Sequence, residues 1–175
     1  MIYYRYMAQQ VYVLSCLIIG QQRVKEHDLR LRLFSCKGIE SVTAAGILRP
    51  NAKLKSSLQL FNHLEITKMG SKVTGAAIIQ NNTGLTRDIK RFYLASSICE
   101  TLAKLLREPD DYSQVFNLAA QALNDLSTTV KTCNEIYTYF YSSLLEILGF
   151  GQSDDLVAAF IEYLEFKIPF ANEYI

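Results

Sequence analysis

From Leu29 to Phe34 leucine and arginine alternate: Leu29, Arg30, Leu31, Arg32, Leu33, then Phe34. A two-residue period belongs to a strand with one wet face. The leucines are therefore expected in a core, and Arg30 and Arg32 outside it. The β-branched run Val11–Ile19, closed by Gly20, reads as an earlier strand. Ile39–Ala45 and Leu58–Thr67 read as a third and a fourth, and Lys72–Gln80 as a fifth after a Gly70-Ser71 hairpin turn. Between them lie a polar turn, Gln21–Asp28, a break at Gly38 and the turn residues Arg49-Pro50-Asn51. Five short strands with tight turns predict a small β-barrel.

The period changes after Asn81-Asn82-Thr83-Gly84. Ile89, Phe92, Ser96, Cys99, Ala103 and Leu106 recur at steps of three and four, which is one helical face. Thr86 is placed to cap that helix, with Asp88 in its first turn. Pro109 ends it, and Asp110-Asp111 can cap a second helix marked by Tyr112, Val115, Ala119, Ala122 and Leu126. Val130, Cys133, Tyr137, Phe140, Leu144 and Leu148 mark a third, stopped by Gly149. Ser153 with Asp154 and Asp155 opens a last one, carried by Phe160, Ile161 and Leu164. The chain reads as α+β: a barrel over residues 1–80, then a helical domain over residues 81–175.

Charge sharpens that division. The 175 residues carry a net charge of only +1. Residues 1–91 hold 14 Lys and Arg against 5 Asp and Glu, a net of +9, and residues 92–175 hold 4 against 12, a net of −8. A basic half attracts phosphate backbones or anionic membranes, and the acidic half repels both. The cations expected on the barrel are Arg30 and Arg32 on the second strand, Lys37 after it, and Arg49, Lys53 and Lys55 in the next connection. Lys72 opens the fifth strand, and Arg23 and Lys25 lie in the first turn.

Catalytic chemistry finds no foothold. Cys16, Cys36, Cys99 and Cys133 show no metal-ligand or redox spacing and read as free thiols in a reducing compartment. No phosphate-binding glycine loop or serine elbow is present. Glu26-His27-Asp28 sits in a polar turn without a nucleophile, and His63 lies in a strand and reads as structural. Phe34 and Phe61 fit core packing better than base stacking. Tyr137, Phe140 and Tyr141 fall together as a helix seam. The start lacks the charge-then-apolar order of a signal peptide, and Val11–Ile19 is too short to span a bilayer, so the expected location is cytosolic.

Several of these residues occur in a familiar order. Glu26-His27-Asp28 is followed by Leu31–Phe34, Gly38, Gly46, Arg49-Pro50 and Lys53, then Leu58-Gln59-Leu60-Phe61 and Leu64-Glu65-Ile66. Tyr93-Leu94-Ala95-Ser96 and the stretch Leu145–Phe150 continue it. From about Val11 to Phe150 the chain resembles the bacterial DNA repair and recombination protein RecO family. That resemblance implies an oligonucleotide-binding (OB-fold) barrel ahead of a helical domain. It also implies a non-catalytic protein of the bacterial cytoplasm, needing no cofactor, that binds single- and double-stranded DNA and anneals complementary strands. Such a protein helps load the recombinase onto DNA covered by single-strand-binding protein, together with RecR. Three departures stand out. The loop around Arg49 and Lys53 is less basic than the family's, Leu60 replaces a common proline, and no cysteine beyond Cys133 supplies the four-cysteine zinc module of many members. The same basic surface would also suit a protein-interaction adaptor that holds an acidic partner tail.

Overall fold

The computed structural model describes residues 11–106, 110–128, 132–151 and 157–160. Five strands come first: β1 (Val11–Arg23), β2 (Leu29–Ser35), β3 (Gly38–Ala44), β4 (His63–Met69) and β5 (Lys72–Gln80). They close in the order β1-β2-β3-β5-β4, with every pairing antiparallel except β3 with β5. A 3-10 turn (Thr83–Arg87) leads to α1 (Ile89–Leu105), α2 (Ser113–Thr128) and α3 (Cys133–Ile147). This is the OB-fold barrel that the resemblance implies, followed by helices; the alternation of apolar positions predicts a small barrel and leaves its topology open.

Two apolar bodies hold it together. Inside the barrel, Cys16, Ile18, Leu31, Leu33, Val42, Leu64 and Ile66 meet, joined by Ile47 and Leu58 from the β3–β4 connection. The second body lies among the helices and reaches one outer patch of the barrel through Leu17, Ile19, Phe34 and Phe61. There Phe34 meets Phe116 edge to face at 5.7 Å, and Phe61 meets Phe92 at 5.8 Å. The predicted packing role of Phe34 and Phe61 holds, and the core they join is the one between sheet and helices. Asn82 ties the same seam, its backbone N–H donating to Asn62 Oδ1 (2.8 Å) and its Nδ2 to the Phe61 carbonyl (3.0 Å).

Four expected boundaries shift, each for a local reason. β1 does not stop at Gly20; the strand bulges between Ile18 and Gly20 and runs on to Arg23 beside β2. β3 starts and ends one residue earlier than expected. β4 begins at His63 rather than Leu58, because Phe61 takes a positive φ of 69° that no strand accommodates. The apolar run Leu58-Gln59-Leu60-Phe61 instead plugs the barrel end, where the Leu58 carbonyl accepts a bond from Gln21 Nε2 (2.9 Å). At α1 the cap is Asp88, not Thr86: its Oδ1 accepts from the Arg91 backbone N–H (3.1 Å).

The buried side of α1 is also rotated from the expected face. Ile89 is 59% exposed, while Leu94, Ala95, Ile98, Thr101 and Leu102 are buried. The polar members are buried because α3 supplies partners. The Ser97 hydroxyl lies 2.9 Å from the Tyr137 hydroxyl and 3.2 Å from that of Tyr141, and Thr101 lies 3.0 Å from Tyr141. The tyrosine seam on α3 is thus a core seam with satisfied hydroxyls. α2 and α3 follow their predicted faces, and α3 gains a capping box between Thr132 and Glu135. Pro109, Val130 and Ser153 to Asp155 lie outside the described residues. Of the last predicted helix, residues 157–160 are described and helical, with Phe160 5.9 Å from the Tyr141 ring; Ile161 and Leu164 lie outside.

Candidate nucleic-acid interface

The barrel register decides which cations share a surface. Leu31 and Leu33 point inward and are fully buried, which sends Arg30 and Arg32 outward. Arg32 sits opposite Gly20 on β1 and Ser41 on β3; Arg30 sits opposite Gln22 and Thr43. Thr43 in turn pairs with Lys72 on β5. Cross-strand partners share a face, so Arg30, Arg32 and Lys72 lie on one side of the sheet. Strand geometry separates Arg30 from Arg32 by about 7 Å along β2, and from Lys72 by about 10 Å across two strands.

Small neighbours keep this face open. A side chain at Gly20 would put its Cβ 3.4 Å from Arg32 Cβ, so the glycine leaves the arginine its room. Gly20, Gln21, Gln22, Arg30, Arg32 and Ser41 line a shallow groove of about 280 Å³. Arg30, Arg32 and Lys72 form no ion pair with any described residue. Two other cations are spent. Lys68 pairs with Glu40 at the barrel mouth, and Arg91 binds Asp88 and the last carbonyls of α2, 2.8 Å from Leu126 O.

The remaining candidates scatter more. Arg23 braces the first turn, donating to the carbonyls of Lys25 (3.3 Å) and Glu26 (2.8 Å), with Lys25 exposed beside it. That turn holds the start of the β3–β4 connection. Asp28 Oδ1 accepts from the Gly46 backbone N–H (2.7 Å), and the His27 carbonyl accepts from Leu48 N–H (3.0 Å). Gly46 has a φ of +67°, and Arg49 folds back over it. The aspartate and glycine of the sequence are therefore two halves of one clamp, which ties the first turn to the start of the connection that carries Arg49. Lys53 and Lys55 follow on the exposed side of the same connection. Lys37 stands apart at the β2–β3 hairpin tip, in a separate cleft with Tyr12, Glu40 and Lys68. The strand pairing does not bring it to the arginine face. Gly20, Gln22, Ser41 and Thr43 are the face residues that sequence reasoning missed; the glycine that closes the β-branched run was the available signal.

The helical half is built differently. Clefts there carry acids: Asp125 and Glu135 line one between α2 and α3, and Asp110 and Asp111 another. Among the described residues no group of three or more His, Cys, Asp and Glu could hold a metal ion, and no helix is long and apolar enough to cross a membrane.

Residues 7–79 match the family description "Recombination protein O N terminal", and residues 86–153 match "Recombination protein O C terminal". The chain belongs to the RecO family. A DNA repair protein RecO from Actinobacillus pleuropneumoniae is 26% identical over 145 residues, covering 81% of this chain and 60% of that protein. The chain thus spans about three fifths of the length of the curated RecO it matches. Within the RecO frame, the Glu-x-Asp turn and the second glycine have the structural task just described, and the arginines of β2 have none in the fold.

His63 is structural, as expected. Its Nε2 lies 2.9 Å from Ser15 Oγ and its ring meets Phe116 edge to face at 5.4 Å. Burial lowers its pKa from the ordinary 6.5. The unfolded chain therefore takes up this proton at a higher pH than the folded one. Stability falls as pH drops below 6.5 toward the lowered folded value, where the folded state is made to carry the charge. Replacing His63 by Gln should flatten that part of a thermal-midpoint-against-pH curve measured between neutrality and mild acid. A curve of unchanged slope would remove His63 from the pH dependence.

Proposed function

We propose that this chain is a non-catalytic recombination mediator in DNA repair, acting in the bacterial cytoplasm. Its barrel, residues 1–80, binds single- and double-stranded DNA without regard to sequence, and its helical part, residues 81–175, scaffolds that barrel. The observation that carries the reading is the outer face of Arg30, Arg32 and Lys72, none of them paired with an acid among the described residues. Cations spaced so along a sheet replace counterions on phosphates, giving affinity that depends on salt and not on base order. Arg49, Lys53 and Lys55, with Arg23 and Lys25, extend the contact from the barrel's end, and Lys37 contributes from the hairpin tip.

Lowering the repulsion between two phosphate chains is the physical route to annealing complementary strands. Assistance in recombinase loading, with a RecR-like protein and the tail of single-strand-binding protein as partners, is the part of the proposal that family membership supports without fixing. The test is fluorescence anisotropy with labelled oligonucleotides of unrelated sequence, titrated across salt and against an acidic peptide. Equal affinity for all sequences, lost steeply with salt, is the expected result. Peptide binding without oligonucleotide binding at moderate salt would replace the DNA reading with that of an adaptor for an acidic tail.

A further inference from the structure

The side chains that share the arginine face are of one chemical kind. One rung of the sheet runs from Gly20 through Arg32 to Ser41. The next runs from Gln22 through Arg30 to Thr43 and ends on Lys72. Guanidinium, ammonium, amide and hydroxyl groups can all donate to phosphate oxygens. Neither rung carries a ring or a carboxylate. Phe34, the next outward position on β2 after Arg32, is buried against Phe116, and Phe61 is buried against Phe92. Of the exposed rings among the described residues, Tyr12 lines the separate cleft beside Lys37, and Tyr139 and Phe150 belong to the helical half. Proteins that hold single strands usually join a cationic groove to aromatic platforms on which bases stack. On this face the described residues supply the groove without the platforms.

We infer that the face holds a single strand by its sugar–phosphate chain alone and leaves the bases turned away from the sheet, open to a complementary strand. The inference rests on the nucleic-acid reading above and deepens it. Phosphate and base leave the sugar on different sides. A strand with its phosphates on Arg30, Arg32 and Lys72 therefore sends its bases either across the sheet or out to water. A base laid across the sheet would cover Gly20, Ser41 and Thr43, which offer little apolar surface, so nothing offsets the loss of its hydration. A base directed outward keeps its water. The step of about 7 Å from Arg30 to Arg32 along β2 suits consecutive phosphates of an extended strand. A strand held in this way pairs with its complement without first being released, because the protein leaves the pairing edges uncovered.

Two oligonucleotides of equal length test this by anisotropy with the full chain across salt, one of thymidines and one of abasic nucleotides. Each stacked base lost would weaken binding about fivefold or more, so a strand held by its backbone alone should bind within about threefold of the thymidine strand. Arg30→Glu with Arg32→Glu should weaken both strands alike. Permanganate, which oxidises uncovered thymine rings, should attack bound thymines as fast as free ones. An abasic strand that binds about tenfold or more weaker overturns the inference and leaves the nucleic-acid reading standing. Thymines shielded from permanganate do the same. Equal binding that the double variant leaves intact also overturns it, since the contact then lies off this face. Binding of neither strand at low salt defeats the nucleic-acid reading itself, and the inference with it.

Discussion

Arg30→Glu with Arg32→Glu should weaken oligonucleotide binding about tenfold or more at low salt, and equally for every sequence. Both side chains are exposed and unpaired among the described residues, so the fold loses little when they change. Each phosphate contact contributes about 0.7 to the log–log salt slope on a single strand, so losing two should flatten it by about 1.4. The gap between variant and wild type should close as salt rises, because screening erases the term that was removed. Anisotropy at several salt concentrations reads affinity and slope together. An affinity that falls with no change in slope would mean that the arginines act through the fold instead of on phosphate. No change in either would take them out of the interface.

Phe34→Ala should be the most damaging single truncation outside the barrel's own interior. Phe34 is wholly buried at the seam and meets Phe116 edge to face at 5.7 Å, with Leu17 as its ladder partner on β1. Core phenylalanine truncations cost about 3–5 kcal/mol, a large share of a typical domain's stability of about 5–15 kcal/mol. Urea unfolding followed by circular dichroism measures the loss. Phe34→Leu should recover part of it by refilling some of the volume. Because this ring joins sheet to helices, Phe34→Ala should also broaden or split the transition as the two halves uncouple. A single, unshifted transition would show that the seam carries little of the cooperativity.

Much of this was legible in the chain because it depends on neighbours in sequence. The alternation through β2 places its leucines inside and its arginines outside, and the steps of three and four place α2 and α3. What was not legible depends on contacts between distant residues. Leu58-Gln59-Leu60-Phe61 is as apolar as any strand, and only the turn at Phe61, tied to Ile18 and Asn82, makes it a plug. Ser97 and Thr101 look like surface residues of α1 until the tyrosine hydroxyls of α3 arrive to satisfy them. Gly20 reads as a terminator, although it lies inside β1 at the bulge, opposite Arg32 on the ladder. The cations were countable in advance, and alternation sets Arg30 and Arg32 on one face, but the arrival of Lys72 beside them was not legible. The β3–β5 pairing that adds Lys72 links a turn and a strand end that no local pattern connects.

The helices do more than steady the sheet. By seating Phe116 on Phe34 they cover the lower third of β2's outer side and leave an open track only from Leu29 to Leu33, about 13 Å of strand. If the proposed contact with nucleic acid runs along that track, a strand meets Phe116 after a few nucleotides. Each molecule would then occupy a short length of its lattice, and a long substrate would fill by many copies standing close together, in the manner of a coating.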